Sequence, residues 1–203
     1  MLKKMNLPNK LTMLRIALVP LFVLFMAIPI VSVWPKYVAL AIYILASITD
    51  FLDGYIARSR KLITNFGKIA DPLADKLLVS AGFVMLTYLG VIPGWITCII
   101  LFRDFTVSSL RMFAVNNKSD VAAVWSGKIK TVFQLIGIIV GIFSLAYGFE
   151  NVAMFDFITK SMGTFEKVIN IIMTVSIAIA AATTLWSLID YFNKFKKDID
   201  VEH

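Results

Sequence analysis

Four aspartates in a strongly apolar chain are the residues whose type and spacing could do chemistry. Asp50 and Asp53 lie in AIYILASITDFLDGYIARS, and Asp71 and Asp75 in GKIADPLADKLLVSAGF. On a helix, residues three or four apart share a face, so each pair turns two carboxylates to one side. A carboxylate near hydrocarbon costs several kcal/mol unless it is paired or bound to metal, which makes such residues functional by default. Four of them drawn together repel one another, and divalent cations relieve that repulsion. An all-oxygen site without His or Cys suits Mg²⁺, Mn²⁺ or Ca²⁺.

The neighbours of the aspartates suit phosphate. Gly54 and Ala57 are small and follow Asp53 on the helix, so a ligand can approach the backbone closely. Arg58 offers a fork of donors matched to phosphate oxygens. Gly67 gives another point of close approach, and Pro72 suits the first turn of a helix that Asp71 and Asp75 open. Taken singly, each piece has an ordinary reading. One Asp pair serves equally well as an ion-pair partner for Arg58 or Lys76. Gly54 or Ala57 serves for helix packing, and Arg58, Arg60 and Lys61 as basic loop residues. The ordinary readings do not produce the joint pattern.

The elements that position these residues are membrane helices. The chain has 203 residues, 59% of them hydrophobic and 16% charged, with a mean hydropathy of +0.83. Soluble domains average about 45–50% apolar and about 25% charged. Lipid cannot satisfy free backbone groups, and no alternating strand pattern is present, so helices are expected. The hydropathy predicts an all-α integral membrane protein of one domain, residues 1–203, with spans near 11–33, 37–58, 71–90, 94–115, 129–149 and 168–192. Residues 1–10 read as an amphipathic interfacial segment that Pro8 breaks, with Asn9 as the N-cap of the first span. Residues 193–203 read as a cytoplasmic tail. No cleavage site follows the basic start, so a secretory signal is not expected. The second and third helices are expected as antiparallel neighbours, joined by a short basic loop.

Charge sets the expected orientation. Lys3, Lys4 and Lys10, then Arg58, Arg60, Lys61 and Lys68, then Lys118, Lys128 and Lys130, then Lys194, Lys196 and Lys197 all fall on one side of the six spans. The alternate connections hold Lys36, nothing at 88–94, and a mixed set of Glu150, Asp156, Lys160, Glu166 and Lys167. The positive-inside rule puts both termini and the aspartates on the cytoplasmic side. The net charge of +7 reflects topology and attraction to anionic lipid, with no need for nucleic acid. Cys98, the single cysteine, reads as a small buried hydrophobe, and His203 is too peripheral for chemistry.

The stretch from Asp50 to Asp75 resembles the signature of the CDP-alcohol phosphotransferase family, D-x2-D-G-x2-A-R-x8-G-x3-D-x3-D. Every fixed position is filled, by Asp50, Asp53, Gly54, Ala57, Arg58, Gly67, Asp71 and Asp75. The resemblance implies a two-metal site, Mg²⁺ or Mn²⁺, held by Asp50, Asp53 and Asp71 with Asp75 beside the metals. It implies Asp75 as the general base for the acceptor hydroxyl, and CMP as the leaving group. Asp50, Gly54, Ala57, Arg58 and Gly67 would bind the CDP moiety. The resemblance further implies a homodimer in a bacterial cytoplasmic membrane; Ser80, Ala81 and Gly82 suit an interface or internal packing equally.

A second basic cluster bears on the acceptor. Arg103 and Arg111 in LFRDFTVSSLRMFA, with Lys128 and Lys130 in WSGKIKTVFQ, would form a cationic pocket for a phosphorylated acceptor. Asp104 provides the alternative reading, as an internal neutraliser of an Arg. LPNKLTMLR, RDFTVSSLR and GKIKT resemble the branch of the family that joins glycerol 3-phosphate to CDP-diacylglycerol. Inositol phosphate, serine or phosphatidylglycerol as acceptor are the alternatives within the family. A cation-coupled transporter is the alternative of another class, though the carboxylates gather towards one face and no repeat is present, unlike midplane transport sites.

Overall fold

A chain this apolar must close its backbone hydrogen bonds within itself, and the structure, a computed structural model, does so with helices. It describes residues 7–28, 33–59, 65–116, 125–149, 152–159 and 161–200; the side chains of 7–8, 51–59, 65–72, 110–116, 125–128, 159 and 190–200 are not among those described. The elements are α1 (Leu7–Ala27), α2 (Trp34–Ser59), α3 (Asn65–Tyr88), α4 (Gly94–Asn116), α5 (Trp125–Tyr147), the one-turn α6 (Asp156–Thr159) and α7 (Thr164–Asp200). No strand occurs among the described residues. Among the described residues three stretches are long and apolar enough to cross a membrane, Asn9–Ala27, Ile129–Tyr147 and Thr164–Ile189. The chain is a multi-pass membrane protein.

Several boundaries differ from the hydropathy reading. α1 begins at Leu7, so Pro8 opens the helix and does not break it. Proline is tolerated in a first turn, where its missing N–H would have no partner anyway. Asn9 therefore lies inside the first turn and is no N-cap. The helix stops at Ala27, short of residue 33, and Pro29 disfavours helical geometry in the residue before it. α3 begins at Asn65, which puts Asp71 and Pro72 about two turns inside it. α7 continues to Asp200, so residues 193–200 extend a helix where a tail was expected. Hydropathy reports where lipid begins, and a helix can continue past that point.

Packing also departs from chain order. α2 and α3 meet over only a short stretch, whereas α1 packs against both of them. The expected neighbours α2 and α3 are thus part of a trio with α1. α5 packs against α2, α3 and most extensively α7, and α4 packs against α7 and α3. Lys36, expected as an outer loop charge, is 1% exposed. Its ammonium donates to the Met26 and Ile28 carbonyls, satisfying carbonyls that the end of α1 leaves unpaired.

The core is built on close approach at glycine. A Cβ at Gly82 would lie 2.8 Å from Ile138 and 3.1 Å from the Tyr43 ring, so this part of the Ser80–Gly82 stretch serves internal packing. On α5, Gly137 and Gly141 form a G-x-x-x-G pair, spacing that lets membrane helices approach closely. A Cβ at Gly137 would meet Ile177 of α7 at 2.7 Å, and one at Gly141 would meet Leu86 of α3 at 3.0 Å. The outer surface is apolar, as lipid requires. On α4, Trp95, Phe102 and Phe105 are exposed, and Cys98 lies exposed among them. The expectation that Cys98 is buried is wrong, since in a bilayer an apolar run fits the lipid face as well as the core.

Gly137→Leu should force α5 from α7 and lower stability by about 1–3 kcal/mol, the usual range for overpacking. Thermal unfolding in detergent measures this; an unchanged transition would show that Ile177 yields without cost.

Candidate active site

α1 reaches the site with a polar stripe. Asn9, Thr12 and Arg15 are all buried, and the stripe gives way to buried Phe22 and Met26 further along the helix. The Arg15 side chain is 0% exposed, and its Nη1 lies 2.5 Å from Oδ1 of Asp50 on α2, whose side chain is 42% exposed. Asp75, half-buried on α3, is within electrostatic reach of Asp50, Lys76, Arg15 and Asp104. Three helices thus bring two of the four aspartates and one buried arginine into a single site. Lys76, the alternative partner for these carboxylates, acts electrostatically on Asp75, and its ammonium also donates to the Asp104 carbonyl oxygen at 2.8 Å.

The side chains of Asp53, Gly54, Ala57, Arg58, Gly67 and Asp71 lie outside the described residues; their backbone positions fall in α2 and α3. Among the described residues no group of three or more His, Cys, Asp or Glu side chains gathers. The donor chemistry of the two that are described fits Mg²⁺ or Mn²⁺. Asp50 and Asp75 are oxygen donors from separate helices, close enough to repel each other, and Asp50 is partly open to a ligand. A hard dication held by one or two carboxylates also needs oxygens from water or substrate phosphate.

The second cluster forms around Asp104. Its carboxylate takes an ion pair from Lys130, one at 3.3 Å from Nη1 of Arg103, and a hydrogen bond from Nε2 of Gln134 at 3.3 Å. Arg103 also donates to the Ser187 hydroxyl of α7. Arg103 and Lys130 are 8% and 4% exposed, and the Arg103 Nε has no hydrogen-bond partner. Two of the four expected acceptor-phosphate residues therefore meet, with Asp104 as their common counter-ion. Arg111 and Lys128 have side chains outside the described residues. Two cations against one carboxylate leave net positive charge, and Arg103 an unused donor, as an anion would require.

Sequence reasoning missed Arg15, Gln134 and Ser187. Arg15 entered the sequence reading as the last residue of LPNKLTMLR, with no partner assigned. Its three-residue spacing from Thr12 and Asn9, leading into an unbroken apolar helix, was the available signal. Gln134 stands alone in an apolar run, and nothing local marks Ser187.

Asp104→Leu should cost about 3–5 kcal/mol, because two buried cations lose their counter-ion. Adding Lys130→Met should restore part of that loss. Thermal unfolding of both variants checks this, and no recovery in the double variant would separate Lys130 from the cluster.

Comparisons with known proteins identify the family. The family model described as CDP-alcohol phosphatidyltransferase matches residues 5–186. A Bacillus subtilis (strain 168) protein named CDP-diacylglycerol–glycerol-3-phosphate 3-phosphatidyltransferase is 43% identical over 143 residues, 66% of this chain and 74% of that protein. A Pectobacterium atrosepticum protein of the same name is 32% identical over 199 residues, covering 96% and 97% of the two chains. One from Yersinia enterocolitica is 33% identical over 201 residues, covering 97% and 98%. The matched residues include Arg15, the four aspartates, Arg103, Asp104, Lys130 and Gln134. The chain belongs to the CDP-alcohol phosphatidyltransferase family.

Proposed function

We propose that this membrane enzyme transfers the phosphatidyl group of CDP-diacylglycerol to glycerol 3-phosphate, giving phosphatidylglycerophosphate and CMP. The observation that carries the reading is the meeting of Asp50 and Asp75 beside a buried cation pair, Arg103 and Lys130. Support for the substrates comes from the names of relatives that match nearly the whole chain. A membrane-embedded site also suits a lipid donor.

The residues divide the work between donor and acceptor. Asp50, Asp53 and Asp71 are proposed as ligands of two divalent cations, Mg²⁺ or Mn²⁺, with Asp75 close to them. When bound, such ions neutralise the donor diphosphate and stabilise the departing phosphate. Asp50, Gly54, Ala57, Arg58 and Gly67 frame the CDP group. Arg103 and Lys130, with Arg111 and Lys128, hold the acceptor phosphate and so orient its free hydroxyl. Asp75 takes the proton of that hydroxyl, the oxygen bonds to the phosphorus bearing diacylglycerol, and the bond to CMP breaks.

The reading includes one domain over residues 1–203, with α1 to α5 and α7 as six spans preceded by an interfacial segment. Each of these helices has at least 21 residues, and about 20 suffice to cross the hydrocarbon. Basic residues at the aspartate end support a cytoplasmic site and cytoplasmic termini in a bacterial inner membrane. A homodimer belongs to the reading through family resemblance.

Purified protein in detergent should release CMP from CDP-diacylglycerol with glycerol 3-phosphate and Mg²⁺ or Mn²⁺, and should stop when EDTA removes the metal. Asp75→Asn should lower the rate by at least about 10²-fold, the contribution expected of a general base. Inositol phosphate, serine and phosphatidylglycerol are offered separately; release with one of these and not glycerol 3-phosphate would keep the chemistry and reject the acceptor. Arg103→Lys removes the planar fork and should raise KM for glycerol 3-phosphate while leaving KM for CDP-diacylglycerol unchanged. Equal changes in both constants would place Arg103 outside the acceptor pocket.

A further inference from the structure

Arg15 is a fully buried cation on a helix that the aspartate motif does not include. Its guanidinium is 2.5 Å from Asp50 and within electrostatic reach of Asp75, because α1 packs against both α2 and α3. The guanidinium brings a positive charge to the site. Together with Lys76 it answers the mutual repulsion of Asp50 and Asp75, and it pairs with an oxygen of Asp50, a residue proposed to bind metal.

We infer that Arg15 is a positioning residue, the built-in counter-ion that holds Asp50 while the site is free of metal and competes with the metal for it. The inference rests on the reading of Asp50 and Asp75 as metal-site residues. Without metal, Arg15 neutralises the carboxylates and fixes Asp50 between α1 and α2. A divalent ion draws on the same oxygens against the repulsion of the guanidinium. Arg15 therefore stabilises the metal-free protein and weakens metal binding. A residue that merely packed would shift stability equally in both states, and a residue that oriented Asp50 for the metal would strengthen binding.

The test uses the full chain in detergent, stripped with EDTA and titrated with Mn²⁺, with free Mn²⁺ read by electron paramagnetic resonance. Arg15→Gln should bind Mn²⁺ more tightly than wild type, by a factor on the order of ten, a usual size for coupling between sites. Its unfolding temperature should fall in EDTA and approach the wild-type value at saturating Mn²⁺. Unchanged or weaker Mn²⁺ binding, or an equal loss of stability with and without metal, would overturn the role of Arg15. A wild-type protein that binds no Mn²⁺ would instead overturn the metal reading beneath it. Should Arg15→Gln alone not fold, Arg15→Gln with Asp50→Asn removes both charges and should fold in EDTA; failure of that pair to regain stability would also reject the inference.

Discussion

A charge taken out of water must be answered by another charge, and the site end of this bundle is organised by that requirement. The pairing of Arg15 with Asp50 joins α1 to α2, where the fully buried guanidinium would be costly without a counter-ion. Asp75 on α3 lies in the field of the same two groups. The three helices are therefore bound by electrostatics at one end and by apolar packing, among Phe22, Tyr43 and Phe83, further along. The same rule holds in the neighbouring cluster, where Asp104 answers Arg103 and Lys130.

The two clusters differ in sign, and the difference suits a reaction between two anionic substrates. One is rich in carboxylates and calls for added cations; the other has more cations than carboxylates and calls for an anion. Lys76 links them, since it follows Asp75 in α3 and donates to the Asp104 carbonyl oxygen. A donor diphosphate and an acceptor phosphate would repel each other in water. In the proposed reaction, a carboxylate site loaded with cations and a second, cationic site would reduce that repulsion and fix the approach of the hydroxyl, so much of the catalytic gain would come from positioning.

Rigid packing elsewhere keeps these clusters in register. Gly137 lets α5 lie against Ile177 of α7, while the same helix carries Lys130 and Gln134 to Asp104. Ser187 on α7 meets Arg103 on α4, closing the cluster from a third side. Small residues at one level of the bundle thus set the distance between polar groups at another.

The class of the protein and its core chemistry are written in the sequence. Long apolar runs leave only helices as a way to satisfy the backbone, and the eight fixed positions from Asp50 to Asp75 carry the family resemblance that the family model bears out. The pairing of Arg103 with Asp104 was legible as an alternative, since adjacent opposite charges inside an apolar helix seek each other. Helix ends were less legible: hydropathy changes at the membrane surface, whereas hydrogen bonding carries α3 back to Asn65 and α7 on to Asp200. Only the tertiary structure decided that α1 lies against both α2 and α3, and hence that Arg15, 35 residues before Asp50 in the numbering, is the cation beside it. Spacing along one helix fixes which residues share a face, but which helices become neighbours depends on the packing of the whole bundle.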